Sequence, residues 1–195
     1  MGLPLIESVA IAQPRPAPTR LYDYSTNPVR ELSAEEAVLT LNRAVNDLDS
    51  ARSTLRLTGT KAIPLLIERL SNPDLSVRIE AAELIGSIAR EDDSVDLNNP
   101  YLFKCSVAIS PLTEALKSSD PRWKSQAAET IGVLAVAARE KYGVLAFETV
   151  DLFSLAIPDL TELSKDTANP MGQVNAVWAL QRIAACIHVN SQREK

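Results

Sequence analysis

The chain has 195 residues, of which 46% are hydrophobic and 23% charged, the balance of a folded protein large enough for one domain or a short repeat array. Its net charge is −5, and Lys and Arg are scattered among Asp and Glu, so the chain repels phosphate backbones and a nucleic-acid binder is not expected. Only six glycines occur, the composition leans towards Ala, Leu, Ile, Glu and Ser, and long stretches lack alternation; helices are predicted rather than sheet.

Residues 1–30 read as a proline-rich, extended arm. Ala10-Ile11-Ala12 before Gln13 has the form of a signal-peptidase site, but no basic segment precedes it, and Pro4 and Glu7 interrupt its short apolar run. Two readings stand: the remnant of a signal peptide ending at residue 12, which implies an exported or lumenal protein, and a plain arm, which implies a cytoplasmic one. The interrupted run favours the second. From Gln13 to Pro28 the prolines 14, 16, 18 and 28 predict extended chain.

Residues 31–195 are predicted to form one array of helix pairs. Ser33 followed by Glu36 is a capping-box pattern, and "TLRLTG" near Gly59 echoes a later "AELIG", so residues 33–59 read as a degenerate first unit. The second unit, 62–89, aligns without a gap on the third, 108–135, at a constant offset of 46 residues. Ile63 meets Ile109, Leu66 meets Leu112, Asp74 meets Asp120, and Ala81-Ala82-Glu83 meets Ala127-Ala128-Glu129. Ile85-Gly86 meets Ile131-Gly132 and Ala89 meets Ala135. A last unit, 156–184, aligns on 62–89 at offset 94, then at 95 after one inserted residue in the turn.

Each unit reads as a helix A, a tight turn and a helix B. Helix A carries the stripe Ile63, Leu66, Ile67 and Leu70, with Pro64 and Pro158 expected in the first turn, where a missing N–H costs nothing. "SNPD", "SSDP" and "TANP" supply turn and N-cap residues. Helix B places Ala81, Ile85 and Ile88 on one face. Neither helix can bury its stripe alone, so neighbouring units must stack. The connections from Arg90 to Val107 and from Arg139 to Leu155 are longer; their Leu102-Phe103 and Leu152-Phe153 pairs are expected to pack under the loops. The second connection also has the apolar content to lengthen helix A of the last unit.

An apolar helix A with an early proline, an Asp at the turn, then Val77-Arg78 and "AAELIG" resemble the HEAT-repeat family over roughly residues 60–185. The resemblance implies an all-α solenoid of about three full helix pairs plus the degenerate N-terminal unit. It also implies that the turn Asp and the helix-B Arg form a ladder between neighbouring units. Asp74 and Arg78 fit that ladder, Asp120 and Lys124 fit it more loosely, and the last unit offers Asn169 and Gln173, as a capping unit would. "VRIEAAELIGSIA" is similar at repeat level to phycobilin lyase subunits as well.

Little in the sequence points to catalysis. His188, the single histidine, lies near the C-terminal end beside no carboxylate pattern. Cys105 and Cys186 are far apart and read as small buried thiols, with neither metal spacing nor a cationic setting. Glu91-Asp92-Asp93 reads as a solvated acidic loop. No catalytic, cofactor-binding or metal-binding residue is assigned, and no cofactor is expected. A binding face is easier to derive. If helix B lines the concave side, as the resemblance implies, its outward stripe contains Glu80, Glu83, Ser87 and Arg90 in one unit, then Gln126, Glu129, Val133 and Val136. In the last unit it contains Asn175, Trp178, Arg182 and Ala185. Of these, Glu80, Glu83, Arg90, Gln126, Glu129, Val133, Asn175, Trp178 and Arg182 are the candidate protein-binding residues. Trp178 stands where the other units carry Glu, either as an interface anchor or packed on the C-terminal end; Trp123, in the register of Val77, reads as core. The expected function is a non-enzymatic scaffold or adaptor for a partner protein or peptide. The alternative implied by the second resemblance is a bilin lyase or a related accessory factor of antenna proteins.

Overall fold

The computed structural model describes residues 33–40, 48–91, 103–142 and 147–191, all within the unit Glu31–Lys195. The proline-rich arm and its two readings at residue 12 lie outside the described residues, as do Asp92, Asp93 and Leu102. Among the described residues every regular element is helical. The elements are α1 (Ala34–Thr40), α2 (Leu48–Thr58), α3 (Ile63–Arg69), α4 (Leu75–Glu91), α5 (Ile109–Ala115), α6 (Pro121–Tyr142), α7 (Phe147–Leu163) and α8 (Pro170–Ser191).

Local chemistry sets the ends of these helices. Ser33 and Glu36 close the expected capping box: the Glu36 N–H donates to Ser33 Oγ at 3.2 Å and the Ser33 N–H to Glu36 Oε2 at 3.0 Å. Gly59 ends α2 at φ 63°, a left-handed position that only glycine adopts without cost. Asp74 Oδ1 accepts the Ser76 N–H, Asp120 Oδ1 those of Arg122 and Trp123, and Asn169 Oδ1 that of Gly172. The same turn position thus caps the second helix of all three pairs. Pro121 and Pro170 follow their caps directly, at the first helical position, where the ring fits.

The paired helices pack on one another: α3 on α4, α5 on α6, α7 on α8. Second members also pack on second members, α2 on α4, α4 on α6 and α6 on α8, while α1 packs on α3 and α5 on α7. The core is the repeated apolar stripe. Ile63, Leu66, Ile85 and Ile88 are fully buried, as are Ile109, Leu112, Ile131 and Leu134, then Leu160 and Ile183; each contributes about 1.5–3 kcal/mol of burial. Trp123 is buried as expected, and so are Phe103 and Phe153 from the connecting segments. Alanines 81, 82, 127, 128, 176 and 179 are completely buried, which brings the second helices close together.

Two local expectations are corrected. Pro158 is not in a first turn: α7 starts at Phe147, so the proline lies inside the helix, because the apolar connection lengthens it at its N-terminal end. The anticipated Asp–Arg ladder takes another form. Asp74 caps α4 as described, and Arg78 Nη1 donates to the carbonyls of Asn72 and Pro73 in its own turn while its guanidinium stacks over Trp123 of the next pair at 5.7 Å. A carboxylate cannot donate, but an amide can: Asn169 Nδ2 reaches back 2.9 Å to the Pro121 carbonyl. The link between pairs is therefore explicit at the C-terminal end, where Asp is replaced by Asn.

Candidate functional site

The second helices α2, α4 and α6 border a cleft of about 320 Å³. Six of the predicted residues line it: Glu80, Glu83, Arg90, Gln126, Glu129 and Val133. Their spacing of three and four along α4 and α6 puts them on one face of each helix, and the packing of α4 on α6 sets the two faces side by side. Thr130, from the floor, sends its hydroxyl to the Ala82 carbonyl at 3.4 Å.

Two further lining residues, Arg52 and Arg56, were absent from the sequence-derived set. Arg52 makes a two-pronged ion pair with Glu80 through Nε and Nη2, and Arg56 makes one with Glu91. The available signal was their spacing of four on α2, which places both on one helix face opposite the acidic positions of α4.

These pairings divide the charges of the cleft. Glu80 is tied, with its side chain only 12% exposed. Among the described residues Glu83 makes no ion pair, and its carboxyl is held above the usual range by desolvation, then by the neighbouring Glu80 and Glu129, with Arg52 opposing. The cleft thus presents the carboxylates of Glu83 and Glu129 beside the apolar Val133, while two of its guanidinium groups are already engaged.

The three candidates on α8 do not join this cleft. Asn175 Nδ2 donates to the carbonyl and hydroxyl of Ser125, both at 3.1 Å, with Glu129 Oε2 at 3.5 Å. Trp178 lies against Gly132, its ring in the space that a side chain there would occupy, and Arg182 stacks on the indole at 5.6 Å. Asn175 and Trp178 therefore help hold α8 on α6, while Arg182 packs on the tryptophan of its own helix. The tryptophan that breaks the acidic register is half-buried, packed against the glycine of α6 and bordering a shallow surface hollow.

Both cysteines are buried. Burial pushes the Cys186 thiol up to about 11, and its Sγ donates to the Ala135 carbonyl at 3.0 Å; such a thiol is a poor nucleophile. His188 sits exposed in the last turn of α8. Among the described residues no helix is long and apolar enough to cross a membrane. Comparison with protein-family models and with curated proteins gives no match.

Proposed function

We propose that the chain is a HEAT-type α-solenoid of three full helix pairs behind a degenerate first one, acting as a non-enzymatic scaffold that grips a partner protein or peptide in the α2–α4–α6 cleft. The solenoid reading is supported by the gap-free repeat at offset 46 and by second helices that pack serially on second helices. The binding reading rests on one observation: the cleft gathers Glu80, Glu83, Arg90, Gln126, Glu129 and Val133, which were derived from register and from the inner-face placement of helix B that the resemblance implies. Its carboxylates Glu83 and Glu129, neither in an ion pair with a described residue, favour a partner that presents a lysine or arginine. Placed near Glu83 and Glu129, such a side chain would relieve the repulsion between them, and the low-dielectric wall would strengthen the attraction.

The test is direct. Proteins retained from a cell lysate are identified by mass spectrometry, and the purified partner is then titrated into wild type, Glu83→Arg and Glu129→Arg. Both substitutions reverse a charge at an exposed position, so folding is preserved. The expected result is a dissociation constant at least about tenfold higher, a loss of roughly 1.4 kcal/mol or more. Unchanged affinity in both variants removes the cleft as the binding site.

A further inference from the structure

The charges of the α2–α4–α6 cleft are sorted along its length. Thr130 of α6 lies level with Ala82 of α4, which accepts its hydroxyl, and Val133 lies level with Gly86, its Cγ1 3.4 Å from the position a Cβ there would take. The two helices therefore run in the same direction, and their side chains form rungs. Glu83 and Glu129 are neighbours on one rung, Ser87 and Val133 stand on the next, and Arg90 follows one turn beyond. Helix α2 neutralises one carboxylate at each end: Arg52 pairs with Glu80 beside the acidic rung, and Arg56 with Glu91 beside Arg90. Two carboxylates are left at one end and one guanidinium at the other, with Val133 between them. Glu83, Glu129 and Arg90 are exposed, and none of the three has an ion-pair partner among the described residues. From Glu83 to Arg90 the helix rises about 10.5 Å.

We infer that the cleft takes one face of a partner helix lying antiparallel to α4, with a carboxylate at Arg90, an apolar side chain at Val133 and a lysine or arginine at Glu83 and Glu129. This rests on the cleft as the binding site, and adds the form, spacing and polarity of what it binds. Spacing selects the form. In an extended segment, side chains on one side recur at about 7 and 14 Å, and neither interval matches the separation of the cleft's charges. A helix brings residues k, k+3 or k+4, and k+7 to one face over that same separation. A helix about 10–12 Å across is too wide to enter a cleft of about 320 Å³, so it lies over the opening and sends in side chains alone. Polarity follows from the partner's own dipole. A carboxylate is favoured towards a helix N-terminus and a cation towards its C-terminus, and Glu ahead of Lys is the better order. The partner's acidic, N-terminal end therefore meets Arg90, in the last turn of α4, and the two helices run in opposite directions.

Helical peptides displayed on phage and randomised along one face test the assignment. They are selected against the full chain and against its charge-swapped variant Glu83→Arg/Glu129→Arg/Arg90→Glu, in which all three positions are exposed and helicity is checked by circular dichroism. Wild type is expected to enrich Asp or Glu at k, an aliphatic residue at k+3 or k+4, and Lys or Arg at k+7; the swapped chain enriches the opposite order of charges. A synthetic peptide of the enriched sequence binds wild type at least about tenfold more tightly than the same peptide with its two charges exchanged. Arg90→Gln weakens that peptide but not its analogue carrying Gln at k, which assigns the contact to the pair. Peptides that lose affinity on Glu83→Arg yet show no charge order keep the cleft and overturn its polarity. Peptides indifferent to both Glu83→Arg and Glu129→Arg lie off the cleft and overturn the two readings together. Selection that enriches no helix overturns the helical partner and leaves the cleft to the titration described above.

Discussion

Gly86 and Gly132 occupy the same place in two copies of the repeat, but their surroundings differ. A Cβ added at Gly86 would meet Val133 Cγ1 at 3.4 Å, an ordinary contact, whereas one at Gly132 would collide with the Trp178 ring and approach the Ala179 Cα to 3.1 Å. Gly86→Ala is therefore expected to raise stability by up to about 1 kcal/mol through helix propensity. Gly132→Ala should cost about 1–3 kcal/mol as α8 is pushed off α6. Urea titration followed by circular dichroism separates the two. This asymmetry was not legible in the sequence, where "IG" recurs identically: register identifies which residues correspond, but the size of what lies opposite is set by a helix nearly fifty positions away. Trp178 shows the other side of the same limit. Its register puts it among the candidate binding residues, and register says nothing of the glycine on another helix that accommodates its bulk.

Helix ends and faces were the most legible level, because caps and periodicity are local. The capping box at Ser33, the Asp and Asn caps of α4, α6 and α8, and the buried stripes of α3 to α6 follow from neighbours in sequence. The links between helices were less so. α2 is tied to α4 by the pairing of Arg52 with Glu80, and no local pattern announces which carboxylate an arginine on another helix will choose. Arg52→Ala should destabilise the fold by about 1–2 kcal/mol, between a surface and a buried pair, because Glu80 keeps its part-buried carboxylate beside Glu83 without a partner. The pH dependence has a definite sign. Glu83 already titrates above the ordinary carboxylate range, and Arg52 opposes that rise, so removing the arginine raises it further. A carboxyl with a raised folded pKa contributes stability that is complete below its unfolded pKa, near 4, and is lost as pH climbs through the folded one. The Tm difference between wild type and Arg52→Ala is thus expected to shrink as pH falls from 7 to 5. Glu91, lowered mainly by its hydrogen bond from Arg56, is unaffected by the substitution and cancels in the difference.

At the scale of the whole molecule, protection should follow position in the stack. α6 is covered by α4, α5 and α8, whereas α8 has one open side and α1 contacts only α2 and α3 among the more extensive pairings. Native-state hydrogen exchange is expected to find the slowest amides in α6, faster ones on the outward side of α8 and the fastest in α1, since local opening tracks the packing that must be broken. Equal protection in all helices would mean that the array opens as one unit. That the chain is helical and repetitive could be read from a single sequence, because a duplicated stripe is its own alignment. The hydrogen bonds that join successive pairs have a kinetic consequence. Thr130 to Ala82 and Asn169 to Pro121 each span 48 residues, Asn175 to Ser125 spans 50 and Cys186 to Ala135 spans 51. Docking the α5–α6 and α7–α8 pairs on their predecessors therefore closes loops of nearly constant length, whereas the Arg52–Glu80 link of α2 to α4 spans only 28 residues, and the entropic toll of closure varies only with the logarithm of that length. A chain of this design could grow by further pairs without lengthening its contacts, and contact distance along the chain is what slows folding.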